Sequence, residues 1–93
     1  MNTQIAIVIP AYKSAFLAET LRSLEQQQVK SFQVYIGDDA SPDDIADVIK
    51  NFHQCLSITY KRFETNVGGR DLVGHWKRCI NMTQGEPWIW LLP

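Results

Sequence analysis

Residues 4–12 read QIAIVIPAY, a continuous run of apolar and β-branched residues that ends in proline, alanine and tyrosine. Such a run is typical of a strand in a parallel sheet whose two faces are both covered, because no position along it is reserved for water. We therefore predict a first strand over 4–10. We expect Pro10, Ala11 and Tyr12 to lie at the carboxyl end of that strand.

Strand-like and helix-like segments alternate through the rest of the chain. Predicted strands follow at 32–37 (FQVYIG), 57–63 and 88–92 (WIWLL), and predicted helices lie at 14–28, 41–52 and 71–82. Ser14 and Ser41 are the expected caps of the first two helices, the second one with a proline at its first position. This alternation predicts an α/β fold in which a parallel sheet lies between helices, a three-layer arrangement with right-handed crossovers.

The predicted third helix carries an apolar stripe. We expect Leu72, Trp76, Cys79 and Ile80 to face the core. His75 lies on the same helix and His53 on the preceding one, and neither shows the spacing of a metal site. Both histidines are interpreted as surface or boundary residues.

Composition excludes several classes of protein. The chain has 93 residues, 45% of them apolar, and a formal net charge of −1, so it offers no broad basic field for nucleic acid. Its apolar runs are far shorter than the roughly 20 residues of a membrane span, and no signal peptide is visible at the N-terminus. Cys55 and Cys79 form no metal-binding pattern and are expected to be free thiols.

Paired acids follow the second predicted strand. Ligands of doubly wound sheets bind beyond the carboxyl ends of the strands, where Asp38-Asp39 and Tyr12 are expected to meet. One carboxylate could orient the following helix, since acids favour a helix N-terminus. Alternatively, one could accept a hydrogen bond from the N3–H of uracil. Tyr12 could cover the edge of the sheet or stack on a planar base, to which the backbone of Pro10 and Ala11 would also be close.

Four motifs in order along the chain resemble those of family 2 glycosyltransferases. Residues 7–12 (IVIPAY) are similar to the opening signature of that family. Residues 35–41 (YIGDDAS) are similar to its second signature, an apolar strand ending in Asp-Asp-x-Ser. Asn66-Val67-Gly68 resembles its Asn-x-Gly turn, and Gly85-Glu86 resembles the approach to its metal site. The resemblance implies a GT-A fold, with 1–93 as an incomplete, Rossmann-like nucleotide-binding half that stops after the fourth strand.

The resemblance also implies roles for individual residues. Tyr12 would flank the uracil, Pro10 would line the same pocket, and Asp39 would accept the N3–H of the base. Asp38 would support the loop. Arg70 could contact the base or the diphosphate, because arginine binds phosphate in a bidentate way, or it could be a solvated residue at the start of a helix. Lys13 departs from the asparagine that is usual in the family.

The family reaction requires parts that we expect to lie beyond Pro93. An Asp-x-Asp motif that holds Mg²⁺ or Mn²⁺ would come directly after the fourth strand, and the acceptor site and general base would follow. The resemblance implies an inverting transferase that uses a nucleotide-diphosphate sugar, with UDP as the expected nucleotide. The implied acceptor is a saccharide or lipid-linked saccharide in bacterial surface polysaccharide synthesis. The implied location is cytoplasmic, with peripheral attachment to the inner face of the membrane left open. We expect the 93 residues alone to be inactive and to bind no metal.

Three other interpretations were compared with this one. The first is a nucleotide-binding module without catalysis. The second is a receiver-type signalling domain, which the missing aspartate after the third strand disfavours. A dinucleotide oxidoreductase or nucleoside-triphosphatase is disfavoured, because neither a G-x-G-x-x-G fingerprint nor a phosphate loop is present. Residues 88–92 place large apolar side chains on both faces of the sheet, so we also expect a homodimer through this strand.

Overall fold

A computed structural model describes residues 3–28 and 30–92 as seven alternating strands and helices. They are β1 (Ile5–Ala11), α1 (Leu17–Glu25), β2 (Phe32–Asp38), α2 (Ile45–Ile49), β3 (Ile58–Arg62), α3 (Leu72–Ile80) and β4 (Trp88–Leu91). The four strands form one sheet in the order β3-β2-β1-β4, and all neighbouring pairs are parallel. The predicted α/β fold with a parallel sheet is confirmed.

Both faces of β1 are covered, as its continuous apolar run predicted. Ile7 and Ile9 of β1 belong to the larger core, which packs against α1 and α2. Ala6 and Val8, which alternate with them, belong to a smaller core together with Cys79 of α3. Successive side chains of a strand point to opposite faces, so the single run supplies both cores and separates the two helical layers.

Strand order determines where the loops meet. The chain moves outward from β1 to β2 and β3, and it then crosses to β4 on the other side of β1. A right-handed crossover in the reverse direction places its helix on the opposite face, which is where α3 lies. The carboxyl ends of β1 and β2 are therefore beside the beginning of α3, at the place where doubly wound sheets bind ligands.

The predicted serine cap of α1 is wrong. The helix begins at Leu17, and Phe16 occupies the N-cap without a side-chain hydrogen bond. The backbone nitrogen and Oγ of Ser14 instead donate to Oδ2 of Asp43, over 2.9 and 3.1 Å. Ser14 thus connects the loop after β1 to the loop after β2, which lies beside it.

The predicted serine cap of α2 is also wrong, because Ser41 bonds to the loop after β1. Asp44 is the N-cap and accepts from the backbone nitrogen of Asp47 over 3.0 Å. The helix that follows is short, with five residues. Ser41 lies earlier in the loop, where its Oγ accepts from the backbone nitrogen of Asp43. The same hydroxyl donates to the backbone carbonyl of Tyr12. This serine therefore holds the two loops together instead of capping the helix.

The buried face of α3 also differs from the prediction. Cys79 is buried as expected, but Leu72 is 51% exposed and Trp76 is only partly buried. His75, which was interpreted as a surface or boundary residue, is 2% exposed. His75 and Cys79 are one helical turn apart and share the face that packs on the sheet, whereas Leu72 is the first residue of α3 and lines an open cavity.

The edge strand β4 is largely uncovered. It pairs with β1 on one side, and the side chains of Trp88, Ile89 and Trp90 are exposed. Within the described residues, no helix has both the length and the apolar character that a membrane span requires.

Candidate functional site

A cavity of about 390 Å³ opens where the ends of β1 and β2 meet α3. The carboxyl end of β1, the acid after β2, the turn before α3 and the first turn of that helix all contribute to its wall. Its lining consists of Pro10, Ala11, Tyr12, Asp39, Asn66, Gly68, Gly69, Leu72, His75 and Trp76. Four of the six residues that the sequence indicated for a nucleotide site therefore surround one cavity.

The other two indicated residues lie outside this lining. Asp38 is fully buried beneath the loop after β2. Arg70 is exposed in the turn that precedes α3, where its backbone nitrogen donates to the carbonyl of Val67 over 3.1 Å. Arg70 directly follows Gly69, which lines the cavity, so its backbone lies beside the site.

Tyr12 is the exposed aromatic residue of the cavity. Its side chain is 42% accessible, whereas its backbone carbonyl is held by the hydroxyl of Ser41. The backbone position is fixed while part of the ring faces solvent. An aromatic ring in this situation can stack on a planar base at little cost in conformational entropy.

The carboxylate of Asp38 has partners on three sides. It accepts from the hydroxyl of Tyr60 over 2.5 Å, from Nη1 of Arg62 over 3.2 Å and from the backbone nitrogen of Ser41 over 2.9 Å. Burial, together with the hydrogen bond to Asp38, raises the pKa of Tyr60 to about 12. The phenol therefore remains a donor, and the group connects the ends of β2 and β3 to the loop below the cavity.

Asp39 accepts four hydrogen bonds, two on each carboxylate oxygen. Its Oδ1 accepts from the backbone nitrogen of Val67 over 2.7 Å and from Nη2 of Arg78 over 2.6 Å. Its Oδ2 accepts from the backbone nitrogen of Gly68 over 2.8 Å and from Nδ2 of Asn66 over 3.1 Å. The side chain lines the cavity but is almost fully buried. Its hydrogen bonds to Asn66, Val67 and Gly68 hold the Asn-Val-Gly turn in place.

His75 is a functional candidate that sequence reasoning missed. Its Nδ1 accepts a hydrogen bond from Nε of Arg78 over 2.9 Å. This nitrogen carries no proton, so its distance of 3.7 Å from Oδ1 of Asp39 does not represent an ion pair. Burial lowers the pKa of His75, and the nearby Arg78 charge lowers it further, although the Asp39 carboxylate opposes the change. A neutral imidazole therefore forms part of the cavity wall.

Arg78 is the second residue that the sequence did not indicate. Its guanidinium lies 4.0 Å from the centroid of the Phe63 ring. Phe63 also packs edge-on against His75, with ring centroids 6.0 Å apart. The spacing of three between His75 and Arg78 places both on one face of a helix, and this was the signal available in the sequence. It did not show that Asp39, 39 positions earlier, lies opposite them.

No group of three histidine, cysteine, aspartate or glutamate side chains within 3–28 and 30–92 is arranged to hold a metal ion. The acids of the site also have protein partners. Asp38 and Asp39 together accept from the hydroxyl, amide and guanidinium groups described above. The residues described therefore do not form a metal site by themselves.

Besides a cavity of about 420 Å³ that is lined by residues of β3 and the end of α3, two larger cavities lie away from the carboxyl ends of the strands. One, of about 580 Å³, is at their amino ends, where the hydroxyl of Tyr35 donates to Oε2 of Glu86 over 2.5 Å. The other, of about 600 Å³, lies against the uncovered edge strand beside Trp90. None of these larger cavities contains any of the six residues that the sequence indicated for nucleotide binding, so the cavity of about 390 Å³ is the candidate site.

Comparison with protein families identifies one family model that matches the chain. The model described as "Glycosyl transferase family 2" matches residues 6–92. The poly(ribitol-phosphate) beta-N-acetylglucosaminyltransferase TarS of Staphylococcus aureus strain Mu50 is 29% identical over 69 residues, which is 71% of this chain and 12% of the relative. The validoxylamine A glucosyltransferase of Streptomyces hygroscopicus is 35% identical over 69 residues, or 71% of this chain and 16% of the relative. The chain thus spans a small part of these curated relatives.

Solved structures show the same fold. Residues 1–349 of S. aureus TarS superpose with a TM-score of 0.84 at 22% identity, and the match covers 97% of this chain and 27% of that one. The mannosyltransferase PcManGT of Pyrobaculum calidifontis, solved in complex with GDP-Man and Mn²⁺, gives a TM-score of 0.68 at 20% identity over 92% of this chain and 26% of that one. The expected GT-A fold is confirmed.

Proposed function

Because the chain belongs to glycosyl transferase family 2, we propose that its cavity binds the nucleoside part of a UDP-sugar. The observation that carries the proposal is the meeting of an exposed aromatic ring, Tyr12, and an acid, Asp39, in one cavity at the carboxyl ends of two parallel strands. TarS has been solved in complex with UDP and with UDP-GlcNAc, and both structures share the fold of this chain. They support the choice of UDP as the ligand to test.

Different residues of the cavity contact different parts of the base. Tyr12 flanks the uracil ring, and the backbone of Pro10 and Ala11 forms the floor beneath it. Asp39 accepts the N3–H of the base. Since each oxygen of that carboxylate already accepts two hydrogen bonds, the base N–H shares or displaces one donor of the Asn-Val-Gly turn. Uracil binding is therefore expected to shift this turn.

The two remaining indicated residues act around the base. Arg70 extends from the rim toward the diphosphate, which its planar guanidinium can bind in a bidentate way. Asp38 accepts from the backbone nitrogen of Ser41 in the loop beneath the cavity and connects that loop to Tyr60 and Arg62 of β3. The 93 residues form one nucleotide-binding unit.

The reaction proposed for the longer protein is the transfer of a sugar with inversion. An acceptor hydroxyl attacks the anomeric carbon from the face opposite the diphosphate, a carboxylate base takes its proton, and the bonding electron pair leaves with the diphosphate. A divalent cation, Mg²⁺ or Mn²⁺, would balance charge on the diphosphate in that protein. The acceptor is a saccharide or lipid-linked saccharide of a bacterial surface polysaccharide, and the protein acts in the cytoplasm. This chain spans 27% of the solved TarS chain, so the residues for these steps are sought outside it.

The uncovered edge strand supports a proposal about assembly. Trp88, Ile89 and Trp90 are exposed on β4, and a parallel edge strand has unpaired backbone groups on its outer side. Two copies of the 93-residue chain associate through this strand, most simply with two-fold symmetry.

Titration calorimetry with UDP, GDP and ADP tests the nucleotide proposal. We expect weak binding of UDP and weaker or undetectable binding of ADP, because the matching edge of adenine presents an acceptor, N1, to the Asp39 carboxylate. The GDP titration separates uracil recognition from a general preference for ring N–H donors, since guanine also carries one. Equal binding of UDP and ADP, or no binding of UDP, would contradict the proposal.

A further inference from the structure

Arg78 connects the acid and the imidazole of the candidate site. Its Nη2 donates to Oδ1 of Asp39 over 2.6 Å, and its Nε donates to Nδ1 of His75 over 2.9 Å. A second bond from Nη2 reaches the backbone carbonyl of Thr65 over 3.0 Å. A single rigid group therefore sets the distance between two side chains that line the cavity.

The guanidinium itself lies behind the cavity wall. It is stacked on the ring of Phe63, and its side chain is 23% exposed on the side where β3 and the end of α3 meet. The cavity lining includes Asp39 and His75 but not Arg78. Arg78 thus reaches the site only through these two residues.

We propose that Arg78 is the positioning residue of the nucleotide site. It fixes the carboxylate of Asp39 and keeps Nδ1 of His75 unprotonated, and it does so without touching the ligand. The inference rests on the proposed function, because it assigns Arg78 a role in the binding of UDP by this cavity.

A lysine cannot reproduce this arrangement. The bonds to Asp39 and His75 come from different nitrogens of one planar group, whereas an ammonium is a single point of charge. Stacking on Phe63 also requires the planar face. Arg78→Lys therefore keeps the positive charge but removes the geometry, and Arg78→Met removes both while retaining an unbranched side chain.

The Asn-Val-Gly turn reports on the orientation of Asp39. The amides of Val67 and Gly68 donate to the two oxygens of that carboxylate. If Arg78 holds Asp39 in place, its replacement exposes these two amides to solvent exchange while amides in the sheet stay protected. A side chain that only contributed to global stability would lower the protection of all slowly exchanging amides together.

The experiment combines this exchange measurement with UDP titration. The proteins are the wild type, Arg78→Lys, Arg78→Met and, as a matched control, Arg22→Lys, which changes an exposed arginine on α1. We expect both Arg78 variants to bind UDP about tenfold more weakly or worse, as for the loss of a charged hydrogen bond. We also expect selective loss of protection at the two amides. Nitrogen-15 spectra should show a mixture of His75 tautomers in these variants, and the control should match the wild type.

Several outcomes would overturn the inference. Wild-type affinity in Arg78→Lys would show that charge alone suffices, and unchanged protection at Val67 and Gly68 would show that Asp39 is held without Arg78. If the wild type itself does not bind UDP, the proposed function fails, and the exchange and histidine spectra still decide whether Arg78 positions Asp39. If Arg78→Met does not fold, Arg78→Lys carries the same comparisons.

Discussion

The backbone nitrogen of Gly68 lies 2.8 Å from Oδ2 of Asp39, although 29 positions separate the two residues. A β-carbon at position 68 would lie 2.5 Å from the same oxygen. The turn can therefore approach the acid this closely because it has no side chain at that point. The relationship explains how one carboxylate both lines the cavity and holds the turn that closes it.

Asp39→Asn should weaken UDP binding by about 1–3 kcal/mol, the usual range for loss of a charge-assisted hydrogen bond. The amide that replaces the carboxylate cannot accept at both positions, so it loses the base N–H or a donor of the turn. Titration calorimetry measures the change. Asp47→Asn is the matched control, because Asp47 lies exposed on α2 in an ion pair with Lys50. Equal affinity of the Asp39 variant and this control would exclude Asp39 from base recognition.

Tyr60→Phe should lower the free energy of unfolding by about 1–3 kcal/mol. The substitution removes the hydroxyl that donates to the fully buried carboxylate of Asp38, which keeps two other donors. Urea unfolding followed by tryptophan fluorescence gives the difference. Tyr12→Phe, at a ring that is 42% exposed, should change stability by less than about 0.5 kcal/mol. If the two variants lose the same amount, the bond to Asp38 contributes nothing specific.

Stability should fall as the pH drops below about 6.5 because of His75. The unfolded chain takes up a proton on this side chain near pH 6.5, whereas burial lowers the pKa in the folded chain. Between these two pKa values the unfolded state binds more protons, so acid favours unfolding. Urea unfolding at a series of pH values should show a shallower decline for His75→Gln. The exposed His53 provides the control, and a His53→Gln profile as shallow as that of His75→Gln would refute the assignment.

The purified 93-residue chain should self-associate in a concentration-dependent way. Trp90→Lys should shift it toward monomer, because a charge on the edge strand opposes strand pairing. Light scattering over a concentration series measures the mass. Phe16→Lys is the control, since Phe16 is 74% exposed but lies before α1, away from this edge. A wild-type chain that stays monomeric at high concentration contradicts the assembly proposal.

No sugar transfer is expected from these 93 residues alone when they are incubated with UDP-GlcNAc and Mn²⁺. Hydrolysis of the sugar nucleotide should also stay near the rate without protein. Chromatography measures the transfer and hydrolysis products. A longer protein of the same family serves as the positive control. Metal-dependent turnover that scales with the concentration of the purified chain would place the chemistry within this unit.

Local patterns determined the order of the elements. The run at 4–12 predicted a strand covered on both faces, and β1 has side chains in both cores because alternate residues of a strand point in opposite directions. Helix ends were predicted less well. Serine is a common N-cap residue, but the hydroxyls of Ser14 and Ser41 bind a neighbouring loop instead. A local sequence pattern carries no information about that loop.

The sequence by itself determined the alternation of strands and helices and the position of Pro10, Ala11, Tyr12 and Asp39 at strand ends. These features depend on neighbours within a few residues. Tertiary structure alone decided that Asp39 carries four hydrogen bonds, and that Arg78 reaches it across the domain. Those contacts join segments 27 to 39 positions apart. They form because the crossover to β4 brings α3 against the ends of β1 and β2, and no local pattern specifies which side chains then meet.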